Sequence, residues 1–241
     1  TDITSLPRNR VAVSINVDEG TTASIEHLNI VGNTVFSNEE LIDFFELKPT
    51  GWFSWMSGND KYAKEKLTGD LETLSSYYLD RGYIQFTVDS TQVSVTPDRE
   101  AVYISINVIE GEKFEVGEVD LSGDIVLSKV QLEPFIVVKS GQTFSQVLVT
   151  TSEKWLTKRL GNEGYNFAKV KGIPTVNEED NTVDIKFFID PGKRTYVRRI
   201  NFVGNTRTAD DVLRREMRQM ESSPASSGAI EQSRLRLERV G

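Results

Sequence analysis

The chain has 241 residues, 38% of them hydrophobic and 27% charged, with a formal net charge of −8. That is a globular composition, with no apolar run of the roughly 18 residues a membrane-spanning helix needs. Zero cysteines exclude disulfides and thiolate metal sites, and the single histidine, His27, leaves a transition metal little to build on. Residues 193–241 carry a net +5, which leaves −13 on residues 1–192; so acidic a body argues against wrapping nucleic acid.

Thr1 follows no basic, apolar leader, so the chain reads as a mature piece or an excised fragment. Residues 1–20 look like the closing hairpin of an earlier unit, with Asp2–Thr4, a turn at Pro7 and a strand from Val11 to Val17. A first full unit covers residues 21–111. Ala23–Val31 alternates as a strand, and Gly32 with Asn33 turns the chain out of it. Ser37 and Glu40 form a capping box, which predicts a short helix through Leu41, Ile42 and Phe45. Next comes a loop with Trp52, Phe53, Trp55 and Met56, a candidate partner hot spot whose commoner use is to cover a helix end. Leu67, Leu71, Leu74 and Tyr78 then make one apolar stripe of a helix starting near Tyr62 and capped at Gly82. Two strands close the unit, Ile84–Thr96 and Ala101–Ile109, joined at Pro97 and Asp98.

The same order returns in residues 112–192. A strand from Phe114 to Leu121 leads to a capping box at Ser128 and Gln131, then to a helix with Leu148, Trp155, Leu156 and Leu160, capped at Gly164. Strands follow near Phe167–Ile173 and Thr182–Ile189. Residues 193–241 hold an incomplete third unit: a strand at Thr195–Val203, a helix from about Thr208 and another from about Ala229. Ile25–Asn33, Val116–Asp124 and Val197–Asn205 are three copies of one pattern; Gly20, Gly111 and Gly192 precede them and Leu41, Leu132 and Leu213 follow at fixed distance. Fixed spacings of this kind mark tandem copies of one small domain, so function is sought on repeated surfaces.

No nucleotide-binding glycine motif, zinc-protease motif or nucleophilic triad is present, and the carboxylates at Glu178–Asp180 read as a solvated turn, so the chain reads as a non-enzyme without cofactor or metal. A sheet edge is the better candidate. The third strand of each unit is the most apolar on both faces and is expected to be central, which leaves the second strand exposed along one side. Pro174 fits such an edge and weakens strand recruitment there. Thr91, Gln92, Val93, Ser94, Val95 and Thr96 contain neither proline nor charge, and so form an unblunted edge suited to an extended segment.

The order strand, helix, helix, strand, strand, with linkers Glu110–Glu112 and Asp190–Gly192, resembles the POTRA domain arrays of periplasmic membrane-assembly proteins. Tyr77–Tyr83, Asp89–Asp98 and Leu213–Glu221 are similar to the matching stretches of the barrel assembly factors of Gram-negative outer membranes. The fold implied is α+β, each domain a three-stranded mixed sheet with two helices on one face. Across the whole chain the resemblance implies the end of a second POTRA domain, all of the third and fourth, and most of the fifth, with contact to the membrane only through a C-terminal barrel outside these residues. It also implies a periplasmic location and three kinds of partner: a BamB-like lipoprotein at residues 91–96, a BamD-like lipoprotein at the C-terminal domain through Arg214 and Glu221, and unfolded outer-membrane proteins. The rival readings are a structural spacer and the POTRA region of a two-partner secretion transporter; the run from Leu213 to Glu221 favours the assembly factor. Pro191 is expected to make the lower linker stiffer than Glu110–Glu112, and the third unit, without two further strands, to be unstable or completed by a neighbouring chain.

Overall fold

The computed structural model describes residues 2–6, 10–14, 23–51 and 60–239. The chain divides into two compact bodies, Thr1–Ser75 with Phe86–Glu110, and Ser76–Gln85 with Gly111–Gly241.

The first body opens with the expected hairpin. Strands β1 (Asp2–Leu6) and β2 (Arg10–Ser14) pair antiparallel, Asp2 opposite Ser14. There follow β3 (Ser24–Val31), α1 (Asn38–Asp43), α2 (Lys64–Leu79), whose last turn from Ser76 belongs to the second body, β4 (Thr87–Val95) and β5 (Ala101–Ile109). The second body contains β6 (Glu115–Gly123), α3 (Lys129–Leu132) continued by a tight turn at Glu133–Phe135, α4 (Gln146–Asn162), β7 (Lys169–Asn177), β8 (Thr182–Asp190), α5 (Asp210–Glu216) and α6 (Ser227–Leu237).

Each body holds one three-stranded mixed sheet, in the orders β3-β5-β4 and β6-β8-β7. The last strand is central, parallel to the first and antiparallel to the second. The reason expected for that centrality does not hold, because only one face of each sheet is covered. Val102, Ile104, Ile106 and Val108 are buried, whereas Tyr103 and Ile109 between and beyond them are 42% and 56% exposed, and Phe188 of β8 is 49% exposed. These are one-sided antiparallel-type faces, and the apolar residues on the open side are surface features.

Local signals account for the helices. The Ser37 hydroxyl accepts a bond from Glu40 N at 3.2 Å, and in the second capping box Gln131 Oε1 accepts one from Ser128 N at 3.1 Å. Gly82 and Gly164 end the long helices at φ of +98° and +95°, which lets Tyr83 N and Tyr165 N reach back to Tyr78 O and Leu160 O, each at 3.1 Å. The chain then turns once more before the next strand. β4 therefore begins at Thr87 instead of Ile84, with Tyr83 and Phe86 buried, and β7 begins at Lys169 with Phe167 left 72% exposed.

The strand expected at Thr195–Val203 is absent. Only Tyr196 forms a bridge, to Pro224. In the two complete units the first strand lies against the last, and the described residues after Val203 contain no strand for it to join. The two helices of this unit do form, close to their expected starts.

Two devices recur beyond the element order. A buried polar residue on the second helix of each unit accepts bonds from two successive N–H groups of the loop before it. Asp70 takes Glu46 and Leu47 at 2.6 and 3.0 Å, Ser152 takes Val137 and Val138 at 3.0 and 3.5 Å, and Ser233 takes Arg218 and Gln219 at 2.8 and 3.1 Å. Within the second body, the residue just past or at the end of one long helix also holds the start of the next: Asp80 accepts from Val147 N at 2.8 Å, and Asn162 accepts from Gly228 N at 2.9 Å.

Candidate docking edge

A three-stranded sheet has two edges, and near the start of the first strand the outer edge is bonded by the unit's own loop; the third unit repeats those bonds without forming the strand. Ile25 exchanges backbone bonds with Asp60 and Thr50, Val116 with Gln142 and Gly141, and Val197 with Ser223 and Ser222, all between 2.7 and 3.0 Å. Those bonds occupy the outward groups at that end of the side.

The other edge is β4 in the first body. Thr96 N donates to Ala101 O at 3.0 Å, which fixes the alternation along this strand. Residues 92, 94 and 96 bond inward to β5, and Thr91, Val93 and Val95 turn their N–H and C=O groups outward. No strand lies beyond them among the described residues. An irregularity at Asp89 interrupts the ladder at one end. At the other the chain leaves through Pro97, where Asp98 accepts bonds from the Thr96 hydroxyl and from Glu100 N; the hydroxyl first, and then that N–H, hold the Asp98 carboxyl below its ordinary range. The usable stretch, Ser90–Thr96, spans about 20 Å of extended chain.

Cross-strand register also assigns the side chains. Val93 and Val95 lie opposite Ile104 and Val102 and therefore point to the helix side of the sheet, yet they remain 36% and 52% exposed. Part of each valine side chain is therefore open to solvent beside the edge, on the helix side of the sheet. Gln92 and Ser94 point to the other face, beside Ser105 and Tyr103. On that face the His27 ring stacks on Tyr103, with centroids 5.4 Å apart.

Arg214 and Glu221 come together, and their immediate task is internal. Arg214 Nη1 lies 3.4 Å from Glu221 Oε1 and its Nε lies 2.8 Å from Asp210. Between them the pair holds both backbone groups of Ile200: Glu221 accepts its N–H at 2.8 Å and Arg214 donates to its C=O at 3.3 Å. The Ile200 N–H, followed by the Arg214 hydrogen bond, holds the Glu221 carboxyl below its ordinary range. Both side chains keep over a third of their surface exposed. Trp52, Phe53, Trp55 and Met56 lie outside the described residues.

Sequence reasoning missed three participants. Glu110, assigned to a linker, is buried and accepts bonds from Thr34 and Val35, pinning the turn that follows β3. The Asp70, Ser152 and Ser233 series was available as a polar residue recurring inside an apolar helix stripe. Glu153, which bonds Gly172 N at 2.6 Å, looked like one more surface carboxylate.

The POTRA family model, described as surface antigen variable number repeat, matches residues 23–111, 114–192 and 195–241. The outer membrane protein assembly factor BamA of Neisseria meningitidis serogroup B is 33% identical over 240 residues, covering 99% of this chain and 30% of that protein. BamA of Buchnera aphidicola is 30% identical over 233 residues, covering 96% and 38%. The chain thus spans about a third of the length of these relatives. Among solved structures, POTRA domains 3–5 of Haemophilus influenzae BamA superpose with a TM-score of 0.72 at 28% identity, covering 95% of this chain and 89% of that one. Three matched repeats over most of the chain, on two sheets of the same mixed order, place it in a family: the chain belongs to the POTRA family.

Proposed function

We propose that the chain is the periplasmic docking scaffold of an outer-membrane protein assembly factor, without catalytic activity of its own. Its units correspond to the third, fourth and part of the fifth POTRA domain, at residues 21–111, 112–192 and 193–241, with residues 1–20 closing a second. The match to a structure bearing the third to fifth domains of a BamA supports that numbering. The edge at Thr91–Thr96 takes an extended segment by strand addition, from a BamB-like lipoprotein or from an unfolded outer-membrane protein. A BamD-like lipoprotein meets the third unit at the exposed parts of Arg214 and Glu221.

The observation that carries this reading is the outward set of backbone groups at Thr91, Val93 and Val95, with the Val93 and Val95 side chains still exposed beside them. Backbone groups supply affinity in strand addition, and alternate side chains supply selection.

The alternation also designs the test. Val93 N–H faces outward, so Val93→Pro removes no ladder bond, whereas Ser94→Pro removes one to β5. Amide shifts are followed in the labelled chain during titration with a BamB-like lipoprotein. Shifts at residues 91–96 that vanish in Val93→Pro, with the rest of the spectrum intact, support docking at this edge. Equal binding by Val93→Pro refutes it, and no shift at saturating lipoprotein favours a spacer.

A further inference from the structure

The two complete units have edge strands in the same place that differ at the positions facing outward. Register aligns them: Val95 and Val176 lie opposite Val102 and Val183, Val93 and Pro174 opposite Ile104 and Ile185, Thr91 and Gly172 opposite Ile106 and Phe187. In β4 all three carry an outward N–H. In β7 the Gly172 N–H is already bonded to Glu153 Oε1 at 2.6 Å, and Pro174 has none. Only Val176 of the three keeps a donor to offer.

The packing behind the edge strand differs as well. Gly172 carries no side chain to hold α4 away: a Cβ there would lie 2.6 Å from Val149 Cγ1 and 3.1 Å from Phe187 Cε1. α4 packs closely along β7, whereas among the described residues α2 makes no comparable approach to β4. Asp70 and Ser152 perform the same task in their units, so the residues that follow them, Leu71 and Glu153, are structural equivalents. Leu71 has no atom that accepts a hydrogen bond. Glu153 has a carboxylate, and a charged acceptor binds an N–H more strongly than a neutral one.

We infer that Glu153 is an edge guard: it occupies the backbone donor an incoming strand would use and, with Gly172 and Pro174, confines strand docking to β4. The residue pairs Leu71 and Glu153, Thr91 and Gly172, and Val93 and Pro174 therefore set which unit of the array accepts an extended polypeptide. The inference rests on the docking reading of β4. The guard itself belongs to the second body and is readable without any partner.

The test uses the full chain, deuterated and isotope-labelled. Exchange of the Gly172 amide is compared in the parent chain, Glu153→Gln and Glu153→Ala. Loss of the acceptor is expected to speed exchange about tenfold or more, and Glu153→Gln, whose neutral amide oxygen still accepts but more weakly, to fall between the parent and Glu153→Ala. Unchanged exchange in Glu153→Ala overturns the guard. A synthetic heptapeptide of alternating threonine and valine is then titrated into the parent and into Glu153→Ala with Pro174→Val. The parent is expected to shift only at Thr91, Val93 and Val95, and the double variant also at Gly172 and Val176. Shifts at β4 with none at β7 in the double variant overturn the guard and leave the docking reading standing. Silence at both edges overturns the docking reading, and the guard's role falls with it.

Discussion

Ser152→Ala isolates the recurring polar anchor. The Ser152 side chain is fully buried; its hydroxyl accepts from Val137 N and Val138 N and donates to Leu148 O at 2.8 Å. Alanine leaves both N–H groups without that acceptor. Val137 is half-buried and water recovers part of its bond, but Val138 is 1% exposed and stays unsatisfied, at a cost of about 1–3 kcal/mol. A better helix propensity returns roughly 0.5 kcal/mol. The net expectation is a loss of about 2 kcal/mol, or some thirtyfold more opening of the second unit. Because an array of modules does not unfold as one two-state system, the assay is native-state hydrogen exchange of the slow amides of α4 and β8. Thr150→Ala is the control, since its hydroxyl bonds only back to Gln146 O on the same helix; a change within about 0.5 kcal/mol is expected. If Ser152→Ala shifts those amides no more than the control, the anchor contributes nothing and the reasoning fails.

Burial, against bonds from Leu47 N and Glu46 N, holds the Asp70 carboxyl above its ordinary range. Asp70 then contributes stability that is fully present below the ordinary carboxylate value near 4 and lost as pH rises through the higher folded value. The stability of the parent over Asp70→Asn, from native-state exchange of the slow amides of β5, is therefore expected to be larger near pH 4 than near pH 7, and the opposite slope refutes the burial argument. Gly123→Ala drives a Cβ to 2.3 Å from Ile189 O at φ +92°, whereas Gly204→Ala meets nothing within 4 Å at φ +81°. Native-state exchange of the slow amides in the unit concerned is expected to show a loss above about 3 kcal/mol for the first and near 1 kcal/mol for the second; equal losses would mean that the backbone relaxes. Glu221→Ala frees the Ile200 N–H, and exchange of that amide is expected to accelerate with α6 amides unaffected; a general loss of protection would show a wider structural role.

What the chain disclosed in advance is what one residue type decides alone. Gly32 and Gly123 recur because an added Cβ would sit 2.2 and 2.3 Å from a backbone oxygen of the central strand, so their spacing counts units directly. Strand starts were harder. Ile84 and Phe86 have strand propensities, yet the helix cap before them consumes three residues in a turn, an effect of backbone geometry that side-chain pattern does not carry. Thr195–Val203 alternates as well as the other two copies, but a strand is a relation between two segments, and its partner is not among the described residues. The β4 edge could be read because proline and charge are local. Its contrast with β7 could not, since Glu153 acquires meaning only once helix and strand are packed.

The bonds that Asp80 accepts from Val147 N and Asn162 accepts from Gly228 N make each long helix the cap of its successor. The stability of such a chain is a sum of module terms and nearest-neighbour terms, as in a one-dimensional cooperative lattice. The coupling also has a direction. During synthesis the upstream helix is complete before the downstream one needs its first N–H groups satisfied, so order spreads from the N-terminal side. A lesion in one unit is felt first at the start of the next long helix.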